Sequence, residues 1–314
     1  MLDERTYACR SVSLRLGFAL LLEYILMRFI GWSGDKIYYF CTGNVADEVM
    51  AGIIDAGIYL FSFMIPVALF RLISIGKKTE PMHLGVRFPP NALLWMGVGL
   101  GVTTTMSYVG NLFFSQLDFS VIYGEESLGS APLTVVSFIS TAVVPAVAEE
   151  FLFRGCVLSN LLPYGKQTAI FGSAILFALM HSNPIQFLYT FCAGLILGTV
   201  FVESGSIWPG MFLHLFNNFL SVILPVLTAN ADTFYEEVLY ILFDAVFLML
   251  AIVCFVVLLS RQKGKLLSEP TGESGGREAG IRGICSVTVL IFAGLCLLYA
   301  LYILWITYQY NYYV

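Results

Sequence analysis

Charge is what this chain has least of. Only 12% of its 314 residues are Asp, Glu, Lys or Arg and 58% are hydrophobic, whereas an ordinary soluble domain carries about 25% charged residues. That deficit excludes a water-soluble globule and a disordered segment alike. No basic block is longer than Lys77-Lys78 and the formal net charge is -5, which excludes nucleic-acid binding as the main theme. The seven cysteines form no CxxC and mostly sit inside apolar runs. They read as small core residues rather than as a disulfide framework or metal cluster. The chain also lacks an HExxH motif, an internal repeat and the inverted pair of broken helices typical of transporters.

What the chain has instead is long apolar runs. Crossing a hydrocarbon layer takes about 20 apolar residues, and nine runs approach that length, near 12–32, 49–70, 91–115, 133–162, 167–182, 186–202, 206–228, 236–259 and 283–307. They predict an all-α polytopic transmembrane bundle of about nine spans. The first run follows Arg5, Arg10 and Arg15, lacks a small-residue cleavage site and contains Glu23 and Arg28. It is expected to be a retained helix rather than a signal peptide. Twelve of the sixteen Lys and Arg fall in alternate loops (Arg5, Arg10; Arg71, Lys77, Lys78, Arg87; Lys166; Arg261, Lys263, Lys265, Arg277, Arg282). By the positive-inside rule these loops are cytoplasmic, with the amino terminus inside and the carboxyl terminus, after nine crossings, outside a cell membrane. The chain then divides into helices 1–3 over residues 1–131, helices 4–7 over 132–228, helix 8 over 229–260, a Gly/Ser/Glu-rich cytoplasmic linker over 261–282 and a terminal helix within 283–314.

An ionisable side chain at the bilayer centre costs roughly 2.5–3.5 kcal/mol on insertion scales, so each one needs a partner or a function. Glu23, Arg28, Asp55 and Asp244 are scattered singles, for which helix-helix contacts or span ends suffice. Residues 149–218 are different, because Glu149, Glu150, Arg154, His181, His214, Asn217 and Asn218 lie in or beside three successive apolar segments. Within PAVAEEFLFRG, Arg154 is four residues after Glu150 and on its face, so the two can pair. Glu149 points about 100° away and has no partner in its own helix. Phe177 stands one turn before His181 and can wall its imidazole; His214 and Asn218 share a face four residues apart. At 1.5 Å per residue from the cytoplasmic span ends, Glu149, His181 and Asn218 come out about 20, 21 and 18 Å deep and His214 about 12 Å, close enough for one pocket.

An unpaired carboxylate beside imidazoles is suited to activating water, with Glu149 as general base and His181 orienting the nucleophile or handling its protons. Donors from His214 and Asn218 could hold the charge that develops on an attacked carbonyl oxygen. Covalent catalysis has little support, since Ser140 and Cys156 have no histidine at local spacing. A zinc site of Glu149, His181 and His214 is the metal alternative, although Glu149 cannot be both ligand and base.

These residues resemble the CAAX prenyl endopeptidase and bacteriocin-processing (CPBP, or Abi) family of intramembrane glutamic peptidases. Three ordered motifs carry the resemblance: EExxxR as Glu149-Glu150 with Arg154, FxxxH as Phe177 with His181, and HxxxN as His214 with Asn218, the last inside GSIWPGMFLHLFNN, residues 205–218. The resemblance implies an eight-helix protease core whose cavity opens to the cytosol and the membrane, to which 283–307 adds a helix. It implies that Glu149 and His181 activate water, that Arg154 holds Glu150, that Phe177 supports the site, and that His214 and Asn218 stabilise the oxyanion without a metal or cofactor. The expected substrate is a membrane-associated peptide or lipidated protein tail, either CaaX-like or of the bacteriocin or pheromone type. The alternatives are a non-catalytic bacteriocin-immunity or peptide-binding membrane protein, and a transporter using the cluster as a proton or ion relay.

Overall fold

The computed structural model describes residues 4–43, 47–114, 131–228, 233–262 and 280–313. Nine long helical segments run through them: α1 (Glu4–Thr42), α2 (Glu48–Ile73), α3 (Pro90–Phe114), α4 (a rod from Ala131–Ser137 to Leu162–Tyr164), α5 (Lys166–His181), α6 (Pro184–Ser204), α7 (Trp208–Thr228), α8 (Thr233–Gln262) and α9 (Val287–Tyr313). No strand occurs among the described residues. Each of the nine expected runs overlaps one of these helices, the last beginning four residues before α9. Seven segments are long and apolar enough to cross a membrane, drawn from α2, α3, α4, α6, α7, α8 and α9. With 16 residues, α5 reaches only about 24 Å. Most of the 261–282 linker, residues 263–279, lies outside the described residues.

The bundle is arranged around α4. It packs on α2, α5, α6 and α7, while α1 lies between α2 and α9, and α3 between α6 and α8. Every residue from Leu152 to Leu161 is buried, as expected of a helix surrounded by others rather than of an amphipathic surface helix. The periphery is the reverse: Ile241, Val246, Met249 and Val253 of α8 and Leu298, Leu301 and Trp305 of α9 point outward. Polar groups inside and bulky apolar groups outside are the arrangement that a lipid solvent demands.

α4 is not a uniform α-helix. Its turns widen to π geometry over Phe138–Val143 and again over Phe151–Leu158, on either side of an α-helical Val144–Glu150. Pro145 has no amide to give the Thr141 carbonyl. The turn that holds Thr141 belongs to the first π segment. Such widened turns re-aim the side chains that follow them and are frequent at functional sites.

Local signals set where the neighbouring helices begin. Ser182 adopts a left-handed conformation (φ 50°) that stops α5 one residue after His181. Asn183 then caps α6, its side chain accepting the amides of Ile185 (3.0 Å) and Gln186 (3.4 Å), with Pro184 at the first helical position. The Ser206 hydroxyl accepts the Trp208 amide at the start of α7. The segment after α2 is strapped over this turn: His83 accepts from the Ile207 amide (3.1 Å) and Leu84 from the Trp208 indole (2.8 Å).

Small residues bring the helices together, as membrane interiors favour. A Cβ at Gly194 of α6 would lie 2.9 Å from the Ala174 Cα of α5, and a backbone atom cannot swing aside. Gly194→Ala is therefore expected to cost about 1–3 kcal/mol by overpacking, seen as a lower thermal midpoint of the purified protein in detergent. An unchanged midpoint would show that the α5–α6 contact is looser than described.

Candidate active site

Glu149 and Glu150 sit on the last α-helical turn before the second π segment of α4, 2% and 0% exposed. Arg154, 1% exposed, directs Nη1 at Glu150 Oε1 (2.9 Å), the pairing expected at i and i+4. Its guanidinium also lies over the Phe177 ring, 4.7 Å from the centroid, and Nη2 donates to the Gly194 carbonyl (3.4 Å). An aromatic face and a carbonyl therefore share the cation with Glu150, which reduces the desolvation cost of burying it. Gly210 of α7 lets the next helix close on this pair, since a Cβ there would stand 3.2 Å from Glu150 Oε2.

His214 of α7 comes between the two carboxylates. Its Nδ1 lies 3.1 Å from Glu150 Oε1 and its Nε2 lies 3.6 Å from Glu149 Oε2. A carboxylate only accepts, so the hydrogen bond to Glu150 assigns a proton to Nδ1 and leaves Nε2 as the nitrogen that faces Glu149. At 3.6 Å the second pair is too long for a hydrogen bond, and Glu149 Oε2 is among the buried oxygens without a hydrogen-bond partner. Two polar atoms at that separation can both reach one small molecule placed beside their line. The Phe177 ring packs edge-on against His214 (5.9 Å between centroids) and His181 (4.9 Å).

His181 and Asn218 are placed differently. His181 Nδ1 lies 2.8 Å from its own helix's Phe177 carbonyl; that acceptor assigns the proton to Nδ1 and leaves Nε2 as the acceptor nitrogen. His181 joins the cluster through Phe177 rather than by direct contact with Glu149. Asn218 stands one turn beyond His214, half-buried, and its side chain makes no hydrogen bond among the described residues; its carbonyl accepts from Ser221. No group of three or more His, Cys, Asp and Glu among the described residues has the geometry to hold a metal ion. Glu149, His181 and His214 thus do not form a preassembled ligand set.

Two neighbours of Glu149 went unread in the sequence, and a third was read as isolated. The Tyr59 hydroxyl of α2 donates to Glu149 Oε1, and Tyr189 of α6 lies within its electrostatic reach. Glu23 of α1, classed above as a scattered single, is 2% exposed and also within electrostatic reach of Glu149. Tyrosines do not stand out in a chain with 17 of them. The available signal was that Tyr59 and Ser62 put two hydroxyls about one turn apart in an apolar run.

Residues 131–220, the stretch holding every motif residue, match the family of type II CAAX prenyl endopeptidase Rce1-like proteins. CAAX prenyl protease 2 of Arabidopsis thaliana is 28% identical over 178 residues, which cover 44% of this chain. The chain spans 57% of that relative's length. No solved structure matches. The residues matched are those that carry the motif resemblance, and the seven apolar spans are those of a multi-pass membrane protein.

Removing Arg154 would strand a buried carboxylate. Arg154→Met is expected to destabilise the protein by about 3–5 kcal/mol, measured as loss of folded protein on heating in detergent. Adding Glu150→Gln should recover part of the loss. A single variant as stable as the parent would show that the pair is not buried as described.

Proposed function

We propose that the protein is an intramembrane endopeptidase that hydrolyses a peptide bond with glutamate-activated water, acting on a lipidated CaaX-like protein tail. The observation that carries this reading is the inequality of two adjacent acids. Each keeps one buried oxygen without a hydrogen-bond partner, but Glu150 is neutralised by the Arg154 ion pair and bound to His214 Nδ1, whereas Glu149 has no cation of its own among the described residues and turns Oε2 to within 3.6 Å of the free side of the imidazole. The match of residues 131–220 to the CAAX prenyl endopeptidases supports the same reaction class.

In the proposed reaction a water hydrogen-bonded to Glu149 Oε2 attacks the scissile carbonyl carbon and gives its proton to the carboxylate. The carbonyl oxygen becomes an oxyanion that the Asn218 amide and His214, in the form that carries a proton on Nε2 as well as on Nδ1, stabilise, and His181 Nε2 helps manage the protons. The carbon–nitrogen bond then breaks and the proton on Glu149 passes to the leaving amine. No step needs a metal or another cofactor. A substrate that enters between apolar helices loses the water around its amides, which favours an extended tail carrying a lipid anchor. The amino terminus and the active-site opening are assigned to the cytoplasmic side.

The test is mass spectrometry of membrane and secreted peptides from cells carrying the intact protein or Glu149→Gln, together with cleavage of a farnesylated CaaX peptide by the purified protein in proteoliposomes. Glu149→Gln should abolish cleavage with helicity and membrane insertion unchanged, and a strong chelator should leave the parent's rate intact. Undiminished cleavage by Glu149→Gln would overturn the mechanism. In the same assay Asn218→Ala is expected to lower kcat by about 10²–10³-fold, the loss typical of one oxyanion donor; an unchanged kcat would remove Asn218 from that role.

A further inference from the structure

Tyr59 is the hydrogen-bond partner of Glu149 from outside the motif helices, and it is built to hold still. Its ring stacks on Phe63, one turn along α2, with centroids 4.8 Å apart and planes 16° from parallel. Phe63 is 1% exposed and belongs to the main core around α4. The phenol is therefore anchored by packing, and its hydroxyl donates to Glu149 Oε1. A carboxylate on an unrestrained side chain can exchange its two oxygens by rotation. Here the two differ: Oε1 is occupied from α2, and Oε2 has no hydrogen-bond partner and faces His214 Nε2 at 3.6 Å.

The surroundings make that restraint matter. Glu23 of α1, with its own Oε2 unpartnered, lies within electrostatic reach of both Tyr59 and Glu149. Rotation of the Glu149 carboxylate would break the hydrogen bond to Oε1, so the hydroxyl opposes it. A phenylalanine would conserve the stacking and most of the volume and remove only the donor.

Resting on the peptidase reading above, we propose that Tyr59 is a positioning residue which, by binding Glu149 Oε1, makes Oε2 the oxygen that takes the proton of the hydrolytic water. Tyr59 acts through Glu149 and needs no contact with substrate.

The experiment uses the full chain with Tyr59→Phe in proteoliposomes. The infrared carboxyl band of Glu149 is first assigned as the band lost in Glu149→Gln. In Tyr59→Phe that band should shift, because the hydrogen bond to the carboxyl group is gone, while the thermal midpoint stays that of the parent. With the farnesylated CaaX peptide, kcat should fall about 10- to 100-fold, the range expected for losing one hydrogen bond to a charged group, and KM should stay within about twofold. An unmoved Glu149 band would overturn the inference whatever the substrate. So would an unchanged kcat, or a fall in kcat accompanied by an equal loss of thermal stability. If Glu149→Gln is inactive but Tyr59→Phe retains full activity, only this inference fails. If Glu149→Gln cleaves normally, the peptidase mechanism itself fails.

Discussion

The Arg154–Glu150 pair is the contact on which the rest of the site depends. Both groups are buried where an unpaired charge would cost several kcal/mol, and their 2.9 Å contact also fixes which acid is left over. By engaging Arg154 and the Nδ1 of His214, Glu150 orients the imidazole so that Nε2 faces Glu149. One acid thus works as structure, and its neighbour is left with chemical freedom. The two adjacent glutamates are alike in composition and differ only in what the helices around them supply.

That difference is produced by the fold rather than by the motif. α4 is buried on all sides from Leu152 to Leu161, so its polar side chains must find partners inside the bundle, within α4 or from another helix. α7 can approach α4 closely because Gly210 offers no side chain opposite Glu150, and α6 can approach α5 because Gly194 lies against Ala174. α2 brings Tyr59 into hydrogen bond with Glu149, and α1 brings Glu23 within its electrostatic reach. The widened turns of α4 bracket the acids, so a local departure from α geometry coincides with the place where aim matters most.

Much of this was legible in advance. Nine apolar runs mapped onto nine helices because length and hydropathy are almost sufficient when lipid is the solvent. The Glu150–Arg154 pair followed from i and i+4 spacing, whereas the depth estimate set His214 about 8 Å shallower than Glu149, the residue that it faces. The limits were equally physical. Helical spacing sorts the contacts of one helix but says nothing of rotation between helices, so the near neighbour of Glu149 is His214, while His181 turns Nδ1 to its own Phe177 carbonyl. Tyr59 was invisible because a tyrosine in an apolar run looks like packing until its hydroxyl is located. Glu23 looked isolated because Glu149, the acid that it lies near, is over a hundred residues away in the chain.

The central claim is that an oriented carboxylate hands water directly to the scissile bond, with no covalent intermediate. Its most direct measurement is a single turnover of the farnesylated peptide in ¹⁸O-labelled water with hydroxylamine present. The account predicts one labelled oxygen in the newly formed carboxyl group and no hydroxamate. Hydroxamate product, which requires an acyl-enzyme for the amine to intercept, would contradict it.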